Sequence, residues 1–85
     1  MDARELQWGL PVEYCGADDG DGLAPGHPGR VTDPSPEDVF VEWVGLEDAP
    51  VSRWICFDLP ALAALDEAVL AERSDRVRRG LPPLG

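Results

Sequence analysis

Apolar and polar positions first alternate over residues 10–15, where Val12 and Tyr14 flank Glu13, and this period of two predicts a first strand. Residues 16–29 are dense in Gly, Asp and Pro, which predicts a long acidic loop. A short second strand starts near Gly29 and carries Arg30, Val31 and Thr32. It stops at Asp33-Pro34-Ser35-Pro36, because proline has no ladder N–H to give. The pattern is clearest over residues 38–44, where Val39, Val41 and Trp43 share one face and Phe40, Glu42 and Val44 the other. A fourth strand over residues 52–57 is apolar on both faces, Trp54 included. A half-solvated antiparallel sheet alternates more cleanly than these two strands do, so something must cover the second face.

The chain after Asp58 is the candidate cover. Leu59, Leu62, Leu65 and Val69 recur at helical spacing with Leu70 beside them, Asp58 suits an N-cap, and Pro60 fits a first turn. Acids come early and arginines late, the order favoured by the helix dipole. Gly80 and Leu81-Pro82-Pro83-Leu84 end the pattern. The expectation is a single domain over residues 1–85: a sheet over about 9–58, a helix over about 59–79 and a tail over 80–85.

Gly26-His27-Pro28-Gly29-Arg30-Val31, then Val39-Phe40-Val41-Glu42-Trp43, then Asp58-Leu59, resembles the Gly-x-x-Gly-x-Val, Val-x-Val-x-Trp and Asp-Leu pattern of KOW-type and related SH3-like barrels. The acidic run Asp18-Asp19-Gly20-Asp21-Gly22 ahead of it is similar to the layout of MIB-type barrel domains. The resemblance covers roughly residues 10–60. It implies a mainly β fold, a small SH3-like antiparallel β-barrel followed by a C-terminal α-helix, acting as an interaction module. Its matching positions are glycines and core residues, which carry a fold rather than an activity.

Charge narrows the partners. Seventeen acids face seven Arg, for a formal charge of -10, and Lys is absent. Asn is absent too and Ile55 is the single Ile, a bias expected of GC-rich coding, so the choice of Arg over Lys carries no chemistry. Residues 61–85 hold four acids and four Arg, which places the whole excess on the first sixty residues. Such a chain repels phosphate backbones and anionic membranes and attracts basic surfaces, so neither direct nucleic-acid binding nor membrane association is expected. The RNA-binding members of the resembling families are basic, and this chain is not. With three Trp and a hydrophobic fraction of 44%, the chain has the composition of a folded protein. At 85 residues it buries only roughly 60–65% of its unfolded surface. The charged Met1-Asp2-Ala3-Arg4-Glu5 start lacks the apolar stretch of a signal peptide, giving the expectation of a cytoplasmic protein with reduced thiols.

Candidate chemistry is sparse. Counting a calcium loop from Asp19, the third position is Asp21, but the fifth is Leu23 and the twelfth Arg30, which breaks the ligand pattern. Cys15, Cys56 and His27 lack the paired spacing of a zinc site, and no cofactor fingerprint is present. Cys15 and Cys56, on the first and last strands of a small barrel, are expected as buried neighbours. His27, between Gly26 and Pro28 in a turn, is expected to face solvent. Trp8, before Gly9, is expected to pin the N-terminal segment. Arg73, Arg76, Arg78 and Arg79 read as helix-end electrostatics with Glu72 and Asp75.

No catalytic, cofactor or metal residues are therefore expected. The residues singled out for interaction are Phe40 and Trp54, as an incompletely covered apolar patch, and Asp18, Asp19 and Asp21 in the acidic loop. The reading is a small acidic accessory or regulatory subunit that engages another protein with a basic or mixed surface. Self-association through the helix or the sheet face is a further possibility. The alternative is an acidic inhibitor whose carboxylates mimic nucleic-acid phosphates.

Overall fold

A computed structural model describes residues 3–17, 22–33, 39–46, 55–56 and 59–84. Five strands form one antiparallel sheet: β1 Pro11–Tyr14, β2 Pro28–Asp33, β3 Val39–Trp43, β4 Ile55–Cys56 and β5 Leu62–Ala64. The spatial order is β4-β3-β2-β1-β5, and one helix, α1 Glu67–Arg78, follows. The mainly β expectation with a C-terminal helix is met at that level. Among the described residues β4 and β5 end the sheet without pairing, so closure into a barrel is not part of what is seen.

Alternation along β3 decides which face is inside. Val39, Val41 and Trp43 are buried, whereas Phe40 is half-buried and Glu42 exposed. Register carries this across the sheet: Val31 pairs with Val41, and Val12 and Trp43 both oppose Gly29. The core is Val12, Val31, Val39, Val41, Trp43 and Leu62, with Leu6, Leu10, Tyr14, Leu23, Leu46, Leu59 and Ala61 packed around it. Trp43 is 1% exposed and meets both Tyr14 and His27 edge to face, with ring centroids 5.9 and 6.1 Å apart. Its indole N–H has no hydrogen-bond partner among the described residues.

The helix expected over 59–79 is two elements. Leu59–Ala61 forms a 3-10 turn holding Pro60, and Leu62–Ala64 is strand, paired to β1 through Tyr14↔Leu62, Glu13↔Ala63 and Val12↔Ala64. The Cys15 N–H donates to the Ala61 carbonyl at 2.6 Å, and the Leu65 N–H to Pro11 at 2.9 Å. These bonds satisfy an edge of β1 that would otherwise be unpaired, and that tertiary gain overrides the local helical pattern. The apparent stripe therefore splits, with Leu62 in the sheet core and Val69 and Leu70 on the helix. The sheet accordingly runs past residue 58, and the N-cap is Asp66, extended at φ -72° and ψ 150°, rather than Asp58.

The far end of α1 follows expectation. Gly80 adopts φ +79°, its N–H donates to Val77 at 3.0 Å, and the Leu81 N–H donates to Arg76 at 2.9 Å. This is the Schellman stop that a left-handed glycine makes possible. The tail then folds back, the Arg76 Nε–H donating to the Pro82 carbonyl at 2.9 Å.

Candidate functional site

The outer face of the sheet is where exposed chemistry collects, and register places it. Because Val12, Gly29 and Trp43 face inward, Glu13, Arg30 and Glu42 face outward on adjacent strands, with Arg30 opposite both Pro11 and Glu42. Helix α1 lies over the β1–β2 part of this face. The helix therefore packs mainly on β1 and β2, and not chiefly on the two strands with apolar residues on both faces for which a cover was expected.

Two ion pairs seat the helix. Arg30 meets Glu67 as a fork, Nη1 to Oε1 and Nη2 to Oε2 both at 2.8 Å, while Nη1 also donates to the Gly9 carbonyl at 2.7 Å. At the other end of the seam, Arg73 donates to the Glu13 carboxylate and, at 3.1 Å, to the Gly26 carbonyl. The Arg30 hydrogen bonds hold the Glu67 carboxyl below its usual range, and the same contact raises the Arg30 guanidinium. Arg79 pairs with Asp75 one turn back at 3.1 Å, the helix-end electrostatics expected of this cluster.

Two grooves flank the seam. One of about 260 Å³ runs between sheet and helix, lined by Arg30, Glu42, Val44, Leu70, Ser74 and Arg78 among others. The second, about 270 Å³, lies between helix and tail, with Val69, Glu72, Arg73, Arg76, Pro83 and Leu84 around it. Both are lined by apolar and charged residues together.

Of the residues singled out for interaction, Phe40 is on the outer face of β3, half-buried, opposite Asp33 and Ile55 and on the side of β2 away from β1. A register shift between Val31 and Asp33 lies beside it, and its carbonyl accepts from the Thr32 hydroxyl at 3.3 Å. Trp54, Asp18, Asp19 and Asp21 lie outside the described residues, as does Asp58. Among the described residues no three His, Cys, Asp or Glu side chains group to hold a metal ion, and no helix is long and apolar enough to cross a membrane.

Three expectations are corrected. His27 is 4% exposed, and its Nε2 lies 2.7 Å from the Val44 carbonyl, which requires that nitrogen to carry the proton and donate. The turn folds inward because Gly26, at φ +88°, redirects the chain. Cys15 is exposed rather than buried, since it lies just past the end of β1, and Cys56 belongs to β4, which pairs with β3. Residual desolvation and then the Glu13 carboxylate push the Cys15 thiol above its ordinary value. Trp8 is 77% exposed, and it is the backbone beside it that is pinned, through the Gly9 N–H to Val31 at 2.8 Å.

Sequence reasoning missed Arg30 and Glu67, which are thirty-seven positions apart. The available signal was Arg30 itself, one of only three arginines in the acidic first sixty residues. No protein-family model, curated protein or solved structure matches the chain.

Proposed function

We propose that this protein is a small acidic protein–protein interaction module, an accessory or regulatory subunit without catalysis of its own, whose partner presents a basic or mixed surface. We read its sheet as an SH3-like barrel. In support of that reading, β1 is flanked by both β2 and the last strand, and the β2–β3 ladder carries a register shift beside Phe40, the kind of irregularity that curves a sheet.

The observation that carries the functional reading is how the charge is used. Arg30 and Arg73 are engaged with carboxylates along the helix–sheet seam. Every such pair removes one charge of each sign, so the excess of ten acids stays whole. That excess supplies long-range attraction to a basic surface, while an incompletely covered aromatic such as Phe40 supplies short-range contact.

Capture from the native host at 0.15 M and 1 M salt tests this, using wild type, Phe40→Ala, Trp54→Ala and the triple Asp-to-Asn variant at 18, 19 and 21. The expected result is a partner retained at high salt and lost roughly tenfold or more by an aromatic truncation, the scale of an interface hot spot. Release by salt alone, with the aromatic variants binding normally, overturns this reading in favour of a phosphate mimic. Sedimentation of the purified chain checks self-association through the helix or sheet face, which this reading also allows.

A further inference from the structure

The core of the sheet contains no residue of α1. Its six buried side chains come from β1, β2, β3 and β5, and the residues packed against them also lie outside the helix. From α1, Leu70 alone is buried, and Val69 and Val77 are half-buried. What holds the helix down is mainly polar: Glu67 to Arg30, and Arg73 to Glu13 and to the Gly26 carbonyl. The groups facing the seam from the sheet are Glu13, Arg30 and Glu42, and from the helix Glu67, Arg73 and Arg78.

We propose that α1 is a latched cover, which leaves the outer face of β1 and β2 as a unit while the sheet remains folded, with ionic strength setting how often it opens. A helix of 12 residues is marginal in isolation, so opening and unwinding go together. The Arg30–Glu67 end is the salt-sensitive one, since its side chains are 44% and 67% exposed, against 19% and 23% at the Arg73–Glu13 end. Opening takes Leu70, Ser74 and Arg78 away from Arg30, Glu42 and Val44, which line the same groove from the sheet side. This inference does not depend on the identity of any partner.

Native-state hydrogen exchange of the full chain at 0.02 M and 0.5 M salt tests it. Amides bonded within α1 over residues 70–78 should be protected at least about tenfold less than Val31 and Tyr14, whose N–H groups are bonded within the sheet framework. The higher salt should lower the α1 protection roughly two- to fivefold without lowering that of Val31 and Tyr14. Glu67→Gln should bring the low-salt value to the wild-type high-salt value and remove most of the salt response. Equal protection in helix and sheet would overturn the proposal, and so would a Glu67→Gln variant that kept the wild-type salt response.

Discussion

Gly29→Ala puts a single methyl where the sheet has no space for one. A Cβ there would lie 2.6 Å from Trp43 Cε3, 2.8 Å from Val41 Cγ1 and 3.0 Å from the Glu42 carbonyl oxygen. The first two distances fall roughly 1 Å short of the optimum for carbon contacts. Neither neighbour yields easily, since Trp43 and Val41 are 1% and 0% exposed. The backbone conformation at Gly29 is not left-handed, so the cost is steric rather than conformational. Overpacking of this kind costs about 1–3 kcal/mol, and two buried neighbours place it at about 2–3. A chain of 85 residues has about 4–13 kcal/mol of stability in all. The expected fall in Tm is therefore roughly 8–24 °C, read by near-UV circular dichroism and by urea titration. Trp43→Phe, which shrinks the ring and removes an unpaired buried N–H, should make the two substitutions cost about 1 kcal/mol less together than separately. Gly9→Ala is the control: at φ +81° with no atom within 4 Å, it should show backbone strain and no coupling to position 43. A Gly29→Ala protein within about 0.5 kcal/mol of wild type, or one strictly additive with Trp43→Phe, would refute the argument.

His27→Ala leaves the Val44 carbonyl unpaired and opens space beside Trp43, so a loss of about 2–4 kcal/mol in urea denaturation is expected. For Glu67, whose carboxyl is held below its usual range, the Arg30 pair stabilises fully above the ordinary glutamate range, and the contribution disappears as pH falls through the lowered folded value. Carboxyl chemical shifts should show the low Glu67 titration in wild type and its upward return in Arg30→Ala. The Cys15 thiol, pushed up by desolvation and by Glu13, should alkylate more slowly at pH 8 than a free cysteine, and faster in Glu13→Gln, as followed by peptide-resolved mass spectrometry.

The strands were legible where period-two alternation coincides with burial. Val39, Val41 and Trp43 face inward as their spacing says, and Val12 and Val31 join them through register. The stretch around Leu62 was not legible, because a run of Leu and Ala satisfies a helical period as well as an extended one. Only the free edge of β1 decides between them, and an edge is a tertiary fact. His27 was misread for a related reason. Its neighbours Gly26 and Pro28 mark a turn, but not whether the turn points outward, and the Val44 carbonyl that draws it inward lies seventeen positions away. The Arg30–Glu67 seam is equally non-local. The acidic excess was fully legible from composition, since salt bridges cannot alter it.

The segment Gly26–Val31 carries the family-like pattern, and every one of its six positions has a packing reason. Gly26 holds a left-handed turn against Leu84, whose Cγ an added Cβ would strike. His27 and Pro28 are buried, Gly29 lies under Trp43, Arg30 forks to Glu67, and Val31 enters the core. A pattern so completely used by the fold has no position left to report a ligand. Any chain that needed the same turn, the same ring over a strand and the same core valine would arrive at similar residues whatever it bound. Residues free to encode a partner must therefore lie off this frame, on surfaces that packing leaves unspecified. Phe40 fits that description, since its outward place on β3 could be filled by a polar residue with the alternation of Val39 and Val41 intact. That is the physical reason for testing the aromatic and the acids against each other, and for expecting the glycines to affect stability rather than binding.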